Sequence, residues 1–228
     1  MNAPNIHTLN NATHQERHVH GGVLSTFLHY SFIFLISYFS LLICACSEET
    51  AEEEEFADWQ TRNEQFLASL ANDSLLSPDS RYQWKRIKCF SLDESTEGAV
   101  GDYVYVKVIG RGSSTVKPAY TDSVRIIYQG RLIPSVSYPQ GYVFDGTVLD
   151  TYSVKTGSTA KMKLSGTIDG LSTALQHMCV GDYWRVYIPW QLGYGTSGSG
   201  SIPGYSVLVF DVTLLDTSPA GHTMKPWR

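Results

Sequence analysis

His and Cys, which often perform acid–base, nucleophilic or metal chemistry in proteins, are few in this sequence. Their spacing does not match the usual catalytic or metal-binding patterns. Five of the seven His lie at or before His29, so only His177 and His222 follow that point. This argues against a His-based catalytic triad and against a His-rich metal site. The four Cys are Cys44, Cys46, Cys89 and Cys179. No two of them form the C-x-x-C pair typical of zinc or redox centres.

Charge and composition exclude further classes of function. The net charge is −5, and the acidic excess is concentrated in a run from Glu48 to Glu55. A nucleic-acid-binding protein needs a basic surface for the phosphate backbone, so we expect no nucleic-acid partner. The hydrophobic share of 43% and charged share of 17% are those of an ordinary globular protein.

Short segments in the second half of the chain follow one another in an order that identifies a family. They are VRIIYQG at 124–130, VFDGT at 143–147, IDGL at 168–171, MCVG at 178–181, IP at 188–189, LGYG at 192–195 and LVFDV at 208–212. Each segment alone occurs in many folds. In this order and spacing the stretch from Val104 to Asp216 resembles the FKBP-type peptidyl-prolyl cis-trans isomerases.

The resemblance implies an α+β fold, in which an antiparallel β half-barrel wraps around one short α-helix, and an aromatic pocket between them. The family's catalytic positions match Tyr128, Phe144, Asp145, Ile168, Tyr194 and Phe210. Its substrate-binding positions match Leu171 and Ile202. It also implies that substrates are proline-containing polypeptides and that no cofactor or metal is needed.

The implied reaction is rotation about an Xaa-Pro bond, which makes and breaks no covalent bond. Amide resonance opposes it with a barrier of about 18–20 kcal/mol. A dry aromatic cavity favours the twisted amide, because it removes the water that stabilises the planar dipole. The resemblance also implies hydrogen bonds from the Ile168 N–H and the Tyr194 hydroxyl to substrate carbonyls, and a rim polarised by Asp145.

Three features depart from the family pattern. One is Ile202-Pro203-Gly204, which stands where the family usually has an Ile-Pro-Pro ending. Leu171 stands where the family usually has the Trp that forms the pocket floor, and the segment from Leu132 to Tyr142 is longer than the family's compact loop. Two alternatives to catalysis stay open. The missing indole favours a non-catalytic, chaperone-like peptide-binding module. The other is a structural protein that assembles through the helix at Phe56 to Asn72 and has a vestigial pocket.

The N-terminal region predicts export. No Lys, Arg, Asp or Glu occurs between Arg17 and Glu48, and Tyr30 to Ile43 is a short apolar run typical of a signal peptide. It ends in Ile43-Cys44-Ala45-Cys46, which resembles a bacterial lipobox and makes Cys46 the lipidated residue. An uncleaved transmembrane anchor is the alternative. The acidic run after Cys46 resembles the surface-export stretch of Bacteroidetes-type lipoproteins, or it is only a solvated spacer.

We therefore expect lipid anchoring in the bacterial cell envelope, in the outer membrane, facing the periplasm or the surface. In an oxidising compartment Cys89 and Cys179 could form a disulfide, and two free thiols are the alternative. The sequence does not distinguish between these two states.

A separate amphipathic helix is predicted ahead of the main domain. From Phe56 to Asn72 the apolar residues Trp59, Phe66 and Leu70 recur at helical spacing, and Asn72-Asp73-Ser74 followed by Ser77-Pro78 should end the helix. This helix either forms a homodimer or packs on its own domain.

Alternating and β-branched runs predict strands separated by Gly and Ser clusters. The predicted strands are Tyr82 to Phe90, Tyr103 to Ile109, Ser123 to Tyr128, Tyr183 to Ile188 and Ser206 to Leu215, and Gly170 to Met178 is the predicted helix. The expected organisation is a signal peptide at 1–45, an acidic linker at 46–55, a helical and extended segment at 56–100, the isomerase domain at 101–217 and a tail at 218–228.

Overall fold

The structure is a computed structural model that describes residues 55–76, 83–155 and 157–227. The predicted signal peptide and the predicted lipidation site at Cys46 lie outside the described residues. Within the described ranges, no helix combines the length and the apolar character needed to cross a membrane.

The helices are α1 (Trp59–Leu76) and α2 (Asp169–His177), and the strands are β1 (Gln83–Lys88), β2 (Tyr103–Gly110), β3 (Ser123–Arg131), β4 (Val143–Gly146), β5 (Ala160–Lys163), β6 (Tyr183–Ile188) and β7 (Leu208–Ser218). The sheet has the order β1-β2-β6-β7-β3-β4, and all neighbouring strands are antiparallel. β5 pairs with the first half of β3, while β4 pairs with the second half. The predicted α+β arrangement of an antiparallel sheet and a short helix is confirmed.

Strand alternation gives the sheet an inner and an outer face. In β6 and β7, Val186 pairs with Phe210 and Trp184 pairs with Val212, and these side chains are buried in the core. The buried residues of α2 belong to the same cluster. The intervening residue Asp211 lies on the outer face, because successive side chains of a strand point to opposite sides.

Helix α1 packs on its own domain, which was one of the two predicted alternatives. Trp59 is 6% exposed, and Leu67 and Leu70 are also buried in the main cluster. Phe66 packs near Tyr187 of β6, with ring centroids 6.1 Å apart. The face that carries Trp59 and Phe66 is therefore used within the chain, and a homodimer through α1 would need the opposite face of the helix.

The predicted strand at Tyr183 to Ile188 has the observed bounds, and the other predicted strands differ from β1, β2, β3 and β7 only at their ends. The short strands β4 and β5 were not predicted, because four residues are too few to establish a period of two. The first part of the predicted helix stop, Asn72-Asp73-Ser74, is wrong, since α1 continues through it to Leu76, the residue before the predicted Ser77-Pro78 stop. Such residues favour caps but are tolerated inside a helix that tertiary packing stabilises.

Cys89 and Cys179 are free thiols. Cys89 is buried beside α2, where its sulfur lies 3.2 Å from Ser91 Oγ and accepts a 3.5 Å hydrogen bond from Thr173 Oγ1. The sequence left a disulfide and two free thiols as alternatives, and the structure has the free thiols.

Candidate active site

An edge-to-face pair of phenylalanines forms the aromatic part of the site. Phe144 lies on β4 and Phe210 on β7, on either side of β3, and their ring centroids are 5.7 Å apart at an interplanar angle of 80°. Such pairs are favoured because the positive edge of one ring meets the negative face of the other.

Gly130 of β3 is the residue that lets these rings meet. A Cβ at this position would lie 2.7 Å from ring atoms of Phe144 and 2.8 Å from Cε1 of Phe210. Any side chain there would displace the rings. The sequence places Gly130 in the VRIIYQG segment, but only the structure explains why glycine is needed.

Tyr128 and Asp145 form one rim of the site. The Tyr128 hydroxyl donates a 2.7 Å hydrogen bond to Asp145 Oδ2, and its ring lies 6.3 Å from that of Phe210. Burial, followed by the hydrogen bond to the Asp145 carboxylate, raises the pKa of Tyr128. Asp145 Oδ1 accepts a 2.8 Å bond from the Gly146 N–H. Both residues are therefore oriented before any substrate binds.

The start of α2 carries two of the predicted site residues, Ile168 and Leu171. Leu171 is 5% exposed within the core, and Ile168, the N-cap of α2, packs against that core. The Ile168 carbonyl accepts 3.0 Å bonds from the N–H groups of Leu171 and Ser172. Its own N–H has no acceptor in the part of the chain that the structure describes. This N–H is available to a bound carbonyl.

Tyr194 and Ile202 lie on the long connection between β6 and β7. Tyr194 is 38% exposed, and its hydroxyl has no hydrogen-bond partner among the described residues. Burial, followed by the charge of Asp145, raises its pKa. Ile202 is buried in a tight turn in which it and Ser199 exchange two 2.9 Å backbone hydrogen bonds. The connection thus presents one free hydroxyl and one apolar side chain.

The structure brings the predicted residues together to different degrees. Tyr128, Phe144, Asp145 and Phe210 are in direct contact or in ring pairs, Leu171 and Ile202 belong to the same buried cluster, and Ile168 packs against it. Within the described ranges, no three His, Cys, Asp or Glu side chains come close enough to hold a metal ion.

Sequence reasoning missed that α1 is hydrogen-bonded to the segment that leads into β7. Trp59 Nε1 donates a 2.8 Å bond to Ser206 Oγ, and Asn63 Oδ1 accepts a 2.8 Å bond from the Val207 N–H. A signal for Asn63 was present, because it is a polar residue four positions after Trp59 and four before Leu67, within the apolar stripe of the helix.

Comparisons with known proteins show what the domain that contains these residues is similar to. The family model described as FKBP-type peptidyl-prolyl cis-trans isomerase matches residues 114–215. Over 111 residues the chain is 43% identical to an FKBP-type 22 kDa peptidyl-prolyl cis-trans isomerase of Escherichia coli, a match that covers 48% of each chain. Over 114 residues it is 40% identical to the macrophage infectivity potentiator of Trypanosoma cruzi, covering 50% of this chain and 52% of that protein. The match thus spans about half the length of these curated relatives.

A solved structure, that of FkpA from Escherichia coli, matches the fold. It gives a TM-score of 0.51 at 22% identity, and the match covers 90% of this chain and 83% of that chain. At this identity the similarity concerns the fold alone.

Proposed function

Since residues 114–215 form a domain of the FKBP-type peptidyl-prolyl cis-trans isomerase family, we propose that this chain catalyses the cis-trans isomerisation of Xaa-Pro bonds in polypeptides. The observation that carries the proposal is the Phe144–Phe210 pair, whose rings stand 5.7 Å apart inside the matched domain. The residues around that pair supply what such a rotation needs.

The first requirement is an environment that favours the twisted amide. Planar Xaa-Pro amides are stabilised by resonance and by water, and uncatalysed exchange takes tens to hundreds of seconds. Phe144, Phe210 and Leu171 present apolar surface, so a bound proline leaves water on entering the site. Removing water weakens the planar, more polar form relative to the twisted one.

The second requirement is orientation by a few donors. The Ile168 N–H and the Tyr194 hydroxyl have no acceptor within the described residues and can donate to substrate carbonyls. The Tyr128 hydroxyl already donates its hydrogen bond to Asp145. We therefore assign these two residues to the rim of the site and not to substrate hydrogen bonding. Because no proton is transferred, no general acid or base is assigned.

The test is an isomerisation assay on Xaa-Pro peptides with Xaa varied, by NMR exchange or protease coupling. The parent should accelerate exchange, and Tyr194→Phe should lower kcat/KM about 3- to 10-fold, the value of one hydrogen bond. Tyr120→Phe is the matched control: Tyr120 is 39% exposed, is not one of the predicted pocket residues, and forms a tilted ring pair with Phe90 at a centroid distance of 4.7 Å. No acceleration by the parent would reject the proposal.

A second candidate function is a peptide-binding module without catalysis, favoured by Leu171 in the place of the family's floor Trp. In that case the parent would bind proline peptides without accelerating their exchange. Leu171→Trp would then restore acceleration, because it adds the indole face that the pocket lacks.

We also propose that the protein acts on exported polypeptides from a lipid anchor at Cys46. The lipobox-like Ile43-Cys44-Ala45-Cys46 supports this proposal. Several acyl chains would hold the protein on a membrane, since each buried CH₂ contributes about 0.8 kcal/mol. In a bacterial host fed a labelled fatty acid, Cys46→Ser should abolish labelling and Cys44→Ser should not. Equal labelling of both variants would reject Cys46.

A further inference from the structure

The first turns of α1 are bound to the segment that leads into β7. The Trp59 indole N–H donates a 2.8 Å bond to Ser206 Oγ, and that hydroxyl in turn donates a 2.6 Å bond to the Pro203 carbonyl. One turn further along, Asn63 Oδ1 accepts the 2.8 Å bond from the Val207 N–H. Two hydrogen bonds therefore join the helix to residues 203–207, and the Ser206–Pro203 bond lies within that segment.

The residues that make these contacts are buried, and both ends of the Asn63 side-chain amide are hydrogen-bonded. Asn63 is 0% exposed, and its amide Nδ2 donates a 2.7 Å bond to the Trp59 carbonyl while Oδ1 holds Val207. Ser206 is also buried. Loss of one partner would leave a buried polar group unsatisfied, which is unfavourable because that group has also lost its contact with water. The segment is thus held in one place by specific bonds in addition to apolar packing.

The same turn of α1 reaches a second loop. Arg62 Nη2 donates a 3.3 Å bond to the Pro134 carbonyl, and its guanidinium lies 5.1 Å from the centre of the Trp59 ring. Pro134 belongs to the long connection between β3 and β4, which leads to Phe144. The helix therefore touches both connections that lead into the pocket.

Residues 203–207 are directly linked to pocket residues. Pro203 follows Ile202, and Val207 precedes the strand that carries Phe210. The Tyr205 N–H donates a 3.0 Å bond to the carbonyl of Gly195, the neighbour of Tyr194. Tyr205 has a φ of 61°, a left-handed conformation that a non-glycine residue keeps only when its surroundings impose it.

We propose that Trp59 and Asn63 are positioning residues for the pocket. By holding residues 203–207, they set the places of Ile202 and Tyr194, and so α1 determines the affinity for the substrate and the preference for the residue before proline. This inference rests on the proposed isomerase function. It differs from a role of α1 in stability alone, which predicts no change in catalysis once the protein is folded.

The experiment compares the parent with Ser206→Ala, Ser206→Thr and Trp59→Phe, and uses Leu70→Ala as the control. Leu70 is buried on α1 but has no bond to residues 203–207 within the described chain. All assays are run on the full chain, at a temperature where melting curves show every variant folded.

Ser206→Ala and Trp59→Phe should each lower kcat/KM about 3- to 10-fold, the value of one hydrogen bond, chiefly through a higher KM. They should also change the ranking of Xaa residues. Ser206→Thr keeps the hydroxyl and should restore most of the activity. The Trp59→Phe/Ser206→Ala double variant should lose less than the sum of the two single losses, because both remove the Trp59–Ser206 bond, while Ser206→Ala also removes the bond to the Pro203 carbonyl. Leu70→Ala should lower Tm and leave kcat/KM unchanged.

An active parent whose Ser206→Ala and Trp59→Phe variants keep its kcat/KM and Xaa preference would overturn this inference and leave the proposed function standing. An inactive parent would reject the proposed function. In that case the Kd of a proline peptide, measured by NMR titration of the parent and the same variants, decides the inference. Variants with the Kd of the parent, or a parent that does not bind the peptide, would overturn the inference.

Discussion

The Tyr128 hydroxyl donates a 2.7 Å hydrogen bond to Asp145 Oδ2, and this bond joins β3 to β4 at the rim of the proposed pocket. Tyr194, on the far connection, has a hydroxyl with no such partner among the described residues. Burial, the largest contribution in each case, raises the pKa of both phenols, so both stay protonated at neutral pH. The two tyrosines therefore differ in role: the first is committed to the protein and the second is free for a ligand.

Tyr128→Phe should reduce kcat/KM less than Tyr194→Phe. The first variant removes a bond within the rim and leaves Asp145 exposed to water, which solvates it. The second removes a donor that we assign to the substrate. Steady-state isomerisation of one Xaa-Pro peptide by both variants gives the comparison. A larger loss for Tyr128→Phe would mean that the Tyr128–Asp145 pair itself contacts the reacting bond.

Gly130→Ala should damage the pocket although it adds only a methyl group. The new Cβ would lie 2.7 Å from Phe144 and 2.8 Å from Phe210, so one ring must move. Overpacking of this kind costs about 1–3 kcal/mol. We expect reduced kcat/KM and a lower urea midpoint.

Gly166→Ala is the control for Gly130→Ala, since nothing lies within 4 Å of a Cβ at Gly166. It should leave kcat/KM and the urea midpoint unchanged. If Gly130→Ala also behaves like the parent in both measurements, the two rings do not form a fixed wall.

Asp211→Asn should be strongly destabilising. Asp211 is 1% exposed on the outer face, and its oxygens accept bonds from Arg131 Nη1 at 2.6 Å and from Arg185 Nε and Nη2 at 2.8 and 3.1 Å. Removing the carboxylate leaves two arginines without their counter-charge, which typically costs about 3–5 kcal/mol. Urea unfolding measures the loss. The exposed Asp150 is the control, and Asp150→Asn should change the free energy of unfolding by less than about 0.5 kcal/mol. Equal effects of the two variants would contradict the prediction.

Stability should fall above pH 10, partly because of Tyr152. Its hydroxyl bonds to the Ile127 carbonyl and to Thr213 Oγ1, and burial raises its pKa from 10 to about 12. Below pH 10 the phenol is protonated in both states, so its contribution is fully present. Between pH 10 and 12 it ionises only in the unfolded state, and that contribution, on the order of 2 kcal/mol, is lost.

Unfolding free energies at pH 9 to 11.5 test this assignment. Tyr152→Phe should be less stable than the parent at pH 9, because two hydrogen bonds are missing, and should show a shallower fall with pH. The fall should not vanish, since burial raises the pKa of Tyr105, Tyr183 and Tyr187 as well. A variant curve parallel to that of the parent would show that Tyr152 is not responsible.

The predicted elements succeeded where local pattern and burial agree. In β6, Tyr183–Ile188, alternate residues face the core, and the predicted bounds match those observed. The prediction failed for β4, Val143–Gly146, whose residues are half-buried or exposed and which becomes a strand only by pairing with the end of β3. A strand of four residues is recognised by its hydrogen bonds to a partner strand. That pairing produces no periodic pattern in the local sequence, so the sequence did not predict it.

The sequence by itself determined the family-like order of segments and the α+β class, and it predicted the residues of the proposed pocket. It could do so because hydrophobic period and segment order are properties of the chain alone. Only the tertiary structure decided that α1 packs on its own domain, that Gly130 makes room for two rings, and that Cys89 and Cys179 stay unpaired. Trp59 and Ser206 are 147 positions apart in the chain. Many polar groups could accept a hydrogen bond from the Trp59 indole N–H, and the packing of all the elements between the two residues decides which one does.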